Sequence, residues 1–168
     1  MTEGFLVIPG SGELTPANRG LLYGEGVFET LHLRPAGPWL LEQHLDRLER
    51  SAALLELTPP PRADLQALAA QAPLPATEGA LRLIVTPGPV SFATVTEIPD
   101  TVRRQRREGI SLITADLGIT TRPPWSLSAA KTLSYAENLA ARRWARRQGA
   151  DDVLWLTADG HEIGRAHV

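Results

Sequence analysis

The sequence predicts an α+β fold, in which a mostly antiparallel sheet is accompanied by helices. Short apolar runs bounded by glycine and proline turns are typical of strands, and the turn at 35–38 joins two of them as in an antiparallel hairpin. Residues 42–55 place leucine and alanine at spacings of three and four, which is typical of a helix with one apolar face. The 168 residues are enough for one ordinary domain or two small ones.

The strands are predicted from short apolar runs that end at turn residues. The predicted strands are residues 5–8, 27–33, 39–41, 81–86, 92–98, 110–115 and 153–156. The turns between them are expected at 9–12, 35–38, 87–89 and 159–160, with a glycine-spaced loop at 20–26.

The helices are predicted from apolar residues at helical spacing. The first, at 42–55, ends before three prolines, and the second, at 62–71, directs Leu65, Leu68 and Ala69 inward. The third, at 135–148, is rich in alanine and arginine and is stopped by Gly149. The basic stretch 99–108 is expected to be a solvated helical turn or linker.

The composition excludes several classes of function. A net charge of −2 argues against a nucleic-acid binder and a membrane-surface protein, and no apolar run reaches the length that spans a bilayer. There is no cysteine, and the four histidines do not make a metal-ligand spacing, so no metal site is expected. We expect a cytoplasmic enzyme.

Lys131 is the only lysine, whereas the other sixteen basic residues are arginine. A lysine amine can attack a carbonyl and form a Schiff base, but a guanidinium stays protonated and cannot. A catalytic lysine is therefore one interpretation of this position. The alternative is a solvated surface lysine, which is the ordinary state of the residue.

Three stretches together resemble the class IV aminotransferase family of pyridoxal-phosphate enzymes. They are residues 19–30, with the motif YGEGVFET, residues 44–52, with HLDRLERSA, and residues 131–138, with KTLSYAEN, which continues to the GADD at 149–152. The resemblance spans residues 5 to about 161. It implies a two-domain fold, with an N-terminal α+β sandwich at 1–108 and the start of a C-terminal α/β pseudo-barrel domain at 109–161.

The resemblance also implies the residues that hold pyridoxal 5′-phosphate. Lys131 would form the Schiff base with the cofactor and would then move protons at the substrate carbon. Arg47 matches the arginine that binds the cofactor phosphate, although it could instead solvate the polar face of its helix. Tyr135 matches a tyrosine that bonds the ring hydroxyl in some members, with a spacing from the lysine that is one residue shorter here.

Four further residues match positions that contact substrate in the family. Tyr23, Phe28 and Thr30 would line the pocket, and alternation places Phe28 and Thr30 on one face of a strand. Arg82 lies where some relatives contact substrate. The alternatives are sheet packing for Phe28 and an exposed strand position for Arg82.

The C-terminal end departs from the family pattern. The glutamate that faces the pyridine nitrogen in the family comes a few residues after the Asp159-Gly160 turn, and Glu162 is too early to fill that role. Residues 162–168 read like the translation of a sequencing adapter, so a non-native tail and a truncated second domain are expected.

Among the members of this family, the sequence looks most like a lyase that splits aminodeoxychorismate into 4-aminobenzoate and pyruvate for folate synthesis, and this activity is what the resemblance implies. Thr30 supports this interpretation, because branched-chain aminotransferases usually carry glycine there. A branched-chain or D-amino acid aminotransferase of the same family is the first alternative, and a non-catalytic truncated remnant is the second. The family assembles its active site at a dimer interface, so the full-length protein is expected to be a homodimer.

Overall fold

The computed structural model describes residues 4–7, 14–88, 90–116 and 124–165. Within these residues the chain forms eight strands and five helices, and the α+β prediction is confirmed. In chain order the elements are β1 (Gly4–Val7), α1 (Arg19–Tyr23), β2 (Val27–Arg34), β3 (Gly37–Pro38), α2 (Leu41–Leu54), α3 (Arg62–Ala70), β4 (Gly79–Val85), β5 (Ser91–Glu97), α4 (Asp100–Glu108), β6 (Leu112–Asp116), α5 (Ala136–Arg147), β7 (Asp152–Leu156) and β8 (Glu162–Arg165).

The chain divides into two compact units. The first contains residues 1–98 together with 127–134, and the second contains 99–126 together with 135–168. Lys131 therefore belongs to the same unit as β2 and α2, although more than seventy residues separate it from either element in the sequence. The division into domains at 1–108 and 109–161 stays a prediction about the family fold.

The first unit is built on a five-stranded antiparallel sheet in the order β1-β5-β4-β2-β3. Alternate residues of β2 and β4 point to one face, where Val27, Leu31 and Leu81 are fully buried. Helices α2 and α3 supply the other side of this core. Their buried residues, including the predicted Leu65, Leu68 and Ala69, fall at spacings of three and four.

The second unit contains a three-stranded sheet in the order β6-β7-β8. Strands β6 and β7 are parallel, and α5 lies between them in the chain, as parallel strands require a crossover. Ala145 of α5 and Val153 of β7 form its buried centre. Strand β8, at Glu162–Arg165, pairs with β7, whereas residues 166–168 lie outside the described residues.

Two local predictions are wrong. Residues 20–26 are not only a loop, because Arg19–Tyr23 form α1, with the Asn18 side chain accepting a hydrogen bond at its start and the left-handed Gly24 at its end. Residues 39–41 are not a strand. The backbone of Leu40 takes a positive φ of 55° there and turns the chain directly into α2.

Other predicted elements agree with the structure to within a few residues, and the basic stretch 99–108 contains helix α4. The predicted turn at 9–12 lies outside the described residues. Among the helices that the structure describes, none is long and apolar enough to cross a bilayer.

Candidate functional site

Strand β2 presents different chemistry on its two faces. Val27, Glu29 and Leu31 point to the face covered by α2, whereas Phe28 and Thr30 point to the opposite face. A carboxylate on a face that otherwise carries apolar side chains has to find partners, because burial of an unpaired charge is costly. On the opposite face, Phe28 and Thr30 lie together, as the alternation along the strand predicts.

The segment that carries Lys131 is held along the free edge at the start of β2. The Phe28 amide donates to the Lys131 carbonyl at 3.1 Å, and the Leu133 amide donates to the Gly26 carbonyl at 2.8 Å. Val27 and Thr132 form the antiparallel bridge between these two bonds. The segment behaves as a short extra piece of sheet, so the backbone of Lys131 has a defined place in the unit.

Two glycines permit this close approach. A Cβ at Gly26 would stand 2.5 Å from Leu133 Cδ1 and 2.7 Å from the Val85 carbonyl oxygen. A Cβ at Gly24 would stand 2.5 Å from Ser134 Oγ, and Gly24 also has a φ of +69°. The glycine spacing of the sequence motif thus has a steric role in seating the lysine segment.

The side chain of Lys131 lies over the Phe28 ring, with Nζ 4.0 Å from the ring centroid. The Arg82 guanidinium carbon is 5.1 Å from the same centroid, and Arg82 Nε donates to Thr30 Oγ1 at 3.4 Å. Both cations are held where a ring attracts positive charge. Four of the predicted site residues, Lys131, Phe28, Thr30 and Arg82, are therefore brought together.

Arg47 is bound by Glu29, whose side chain lies on the face of β2 that α2 covers. Its Nε and Nη2 donate to the two carboxylate oxygens of Glu29, each at 2.5 Å. His44 Nδ1 is 2.8 Å from the same carboxylate, which is itself fully buried. Half of the Arg47 side-chain surface is exposed. A bidentate carboxylate fixes the plane of a guanidinium, so this arginine is pre-oriented.

Arg47 and the lysine segment are connected through α2. Ser51 lies four residues after Arg47 and thus on the same helix face, and its hydroxyl oxygen accepts a hydrogen bond from the Lys131 amide at 3.1 Å. The helix that carries the guanidinium therefore also holds the backbone of the only lysine.

The other two predicted site residues are placed differently. Tyr23 is the last residue of α1 and 67% exposed, and the Arg19 guanidinium stacks on its ring at 5.2 Å. Tyr135 belongs to the second unit, where it precedes α5 and its carbonyl accepts from the Leu139 amide. Their roles stay predictions.

Three residues of this site were not assigned a role from the sequence: Glu29, His44 and Ser51. Glu29 could have been found, because an acidic residue between Val27 and Leu31 falls on the apolar face of an alternating strand. His44 and Arg47 are then natural partners, since they are three residues apart on one helix. No local signal connects Ser51 to Lys131, because their contact joins positions 80 residues apart.

The sequence matches the family model described as amino-transferase class IV over residues 26–163, which is most of the chain. The chain belongs to the class IV aminotransferase family. The predicted family resemblance is thereby confirmed.

Individual relatives agree with this assignment. The chain is 39% identical to a bifunctional aminodeoxychorismate lyase / D-amino acid transaminase of Mycobacterium tuberculosis, over 96% of this chain and 61% of that protein. Among solved structures it resembles a hypothetical aminotransferase from M. tuberculosis in its PLP-bound form, with a TM-score of 0.87, 35% identity, and coverage of 97% of this chain and 65% of that one. It also resembles a fold IV transaminase from Curtobacterium pusillum, with a TM-score of 0.84, 31% identity, and coverage of 98% and 66%.

These matches confirm the predicted class IV aminotransferase-like fold for the part of the fold that the chain contains. The chain spans between three fifths and two thirds of the length of these relatives.

Proposed function

We propose that this chain supplies the lysine-bearing part of a pyridoxal-phosphate enzyme that splits aminodeoxychorismate into 4-aminobenzoate and pyruvate, a reaction of folate synthesis. The observation that carries the proposal is the position of the only lysine. Its amine stands over the Phe28 ring beside Arg82, on a segment fixed to β2 at two backbone bonds. An amine with a defined location reacts faster with an aldehyde that is bound beside it.

The side chains of the first unit fit pyridoxal phosphate. Lys131 offers a primary amine to the aldehyde, and Arg47 offers a guanidinium whose plane Glu29 fixes and whose side chain is half exposed. A planar set of donors suits a phosphate group. The cofactor, when bound, supplies the electron sink for the bonds that break at the substrate.

The remaining chemistry would come from this chain's own side chains. Lys131 Nζ would take the proton from the substrate carbon that bears the amino group, and a proton would be returned to the methylene of the enolpyruvyl group as the neighbouring C–O bond breaks and pyruvate leaves. Arg82, bonded to Thr30 and held at the Phe28 ring, would attract a substrate carboxylate. Phe28, which is buried, would form an apolar wall behind the amine and limit its contact with water.

Cofactor capture tests the covalent part of the proposal. Purified protein is mixed with pyridoxal phosphate, the absorption band is recorded, and borohydride reduction followed by peptide mapping locates the adduct. We expect one adduct, on Lys131. The variant Lys131→Arg retains the charge and should lose both the band and the adduct, whereas an equal adduct in that variant would refute the assignment.

Product analysis tests the reaction itself. Incubation with aminodeoxychorismate should release 4-aminobenzoate, which is separated and identified by chromatography. The second candidate is an aminotransferase, and the relative named for both lyase and D-amino acid transaminase activity supports it. Incubation with D-amino acids and 2-oxo acids distinguishes the two, because amino-group transfer without 4-aminobenzoate would favour the aminotransferase.

Turnover separates an enzyme from a non-catalytic remnant. Cofactor capture together with release of 4-aminobenzoate or transfer of an amino group supports an enzyme, whereas the absence of both reactions supports the remnant. We also propose a homodimer. Exposed Leu21, Leu22 and Tyr23 on α1 offer apolar surface to a second copy, and light scattering measures the mass.

A further inference from the structure

Both backbone polar groups of Lys131 are bonded to other parts of the first unit. Its carbonyl accepts from the Phe28 amide of β2, and its amide donates to the Ser51 hydroxyl oxygen of α2. The first bond continues the sheet edge, as expected for a segment that pairs with a strand. The bond to Ser51 is not part of a strand pairing, because its acceptor is a side-chain oxygen.

Ser51 is a polar residue at a buried position of α2, where the neighbouring buried positions are apolar. It is 2% exposed and lies between buried residues of α2, among them Leu48 and Ala52. A serine hydroxyl inside a helix can donate to the carbonyl one turn earlier, and here its oxygen accepts a hydrogen bond from a residue 80 positions away. Its place on the helix, one turn after Arg47, connects two of the three predicted cofactor-binding residues, Arg47 and Lys131, through α2.

We propose that Ser51 is a positioning residue, which holds the Lys131 backbone against α2 so that the amine keeps a fixed location relative to the Arg47 guanidinium. The proposal rests on the proposed function for its chemical consequence, whereas the hydrogen bond itself can be tested without cofactor. Ser51 touches neither cofactor nor substrate in this role. It acts through Lys131.

The variant Ser51→Ala removes the acceptor and leaves the helix intact, because alanine is the strongest helix former. Ser91→Ala is the matched control. Ser91 is a serine of the same unit, 1% exposed, and its hydroxyl has no hydrogen-bond partner in the described part of the chain. Both variants delete one buried oxygen, but only Ser51→Ala removes a bond to the lysine segment.

The unique lysine provides a direct readout. Protein labelled with ¹⁵N-lysine gives a single backbone amide signal, that of Lys131, whose hydrogen exchange is measured without cofactor. Loss of one net hydrogen bond should speed this exchange about fivefold in Ser51→Ala and leave Ser91→Ala unchanged. Borohydride-trapped pyridoxal phosphate on Lys131, at limiting cofactor and short times, should fall by a similar factor in Ser51→Ala alone.

The outcomes distinguish the positioning role of Ser51 from the proposed function of the protein. Unchanged Lys131 exchange in Ser51→Ala, or an equal change in Ser91→Ala, overturns the positioning role. Faster exchange with unaltered cofactor capture also overturns it, because the bond would then have no effect on the amine. Failure of the unaltered protein to capture any cofactor, together with the expected exchange result, counts against the proposed function and still supports the bond between Ser51 and the lysine segment.

Discussion

Removing Arg47 should destabilise the first unit more than neutralising Glu29 does. Glu29 is fully buried, whereas the Arg47 side chain is half exposed. The variant Arg47→Ala leaves a buried carboxylate with His44 as its remaining partner at 2.8 Å. Breaking a buried pair in this way costs about 3–5 kcal/mol, and the partial exposure of Arg47 favours the lower end. About 3 kcal/mol corresponds to a fall in Tm of roughly 6–12 °C for a chain of this size.

The variant Glu29→Gln should cost less, about 1–2 kcal/mol, because the amide keeps an acceptor oxygen and the half-exposed guanidinium can be hydrated. The double variant Glu29→Gln/Arg47→Ala should be more stable than Arg47→Ala alone, since it leaves no unpaired buried charge. Urea denaturation followed by circular dichroism, without cofactor, measures all three. Arg50→Ala, at an exposed site on the same helix, is the control.

The reasoning is refuted if Arg47→Ala is no more destabilising than Arg50→Ala, or if adding Glu29→Gln makes it worse. The same set of variants also separates the structural role of Arg47 from its predicted contact with the cofactor phosphate. In the Glu29→Gln background, the further change Arg47→Ala should have little effect on stability. It should still weaken pyridoxal-phosphate capture at least about tenfold, as loss of a charge-assisted contact to phosphate requires.

Three further variants test the packing and the pH dependence. Gly26→Ala should cost about 1–3 kcal/mol, measured by urea denaturation, because its Cβ would stand 2.5 Å from Leu133 Cδ1. Leu48→Ala should cost about 2–5 kcal/mol in the same assay, since Leu48 is fully buried. Hydrogen bonds from the Ser111 amide and then its hydroxyl lower the pKa of Asp151 below its ordinary 3.8, so the stabilisation is present above that pH and is lost on acidification. Asp151→Asn should therefore reduce the loss of stability between about pH 5 and pH 3, measured as the urea midpoint.

Each of these variants has a clear contrary result. A stable Gly26→Ala variant with unchanged exchange at Lys131 would show that the lysine segment does not need the close approach. Leu54→Ala is the control for Leu48→Ala, because Leu54 is 49% exposed and should change stability far less. An Asp151→Asn variant with the same acid dependence as the unaltered protein would remove Asp151 from the acid response.

The sequence predicts the regular elements of this chain well where one periodicity dominates. Residues of α2 and α3 follow a helical spacing, and those of β2, β4 and β5 follow the alternation of a strand with one buried face. The two local errors lie where no periodicity determines the structure. Helix α1 depends on the Asn18 and Gly24 caps rather than on an apolar stripe, and the end of β3 depends on the left-handed Leu40.

The candidate site could be predicted only as a list of residue types and family matches. Lys131 was singled out by its uniqueness, and Phe28 and Thr30 by alternation, but no pattern in the sequence says that these groups meet. The bonds that bring them together are all long-range: Lys131 to Ser51, Leu133 to Gly26 and Phe28 to Lys131. Periodicity describes a single element, whereas such contacts depend on the arrangement of several.

The glycines show how a long-range contact can nevertheless leave a trace in the sequence. Gly26 takes no positive φ, so turn geometry does not require it. It is required because a Cβ there would stand 2.5 Å from the Leu133 side chain of the lysine segment and 2.7 Å from the Val85 carbonyl oxygen of β4. A glycine at the start of an apolar strand, without a turn to explain it, therefore indicates a partner on that strand edge. Here that partner is the segment that carries the only lysine, so the glycine motif accommodates the backbone and side chains on either side of Lys131.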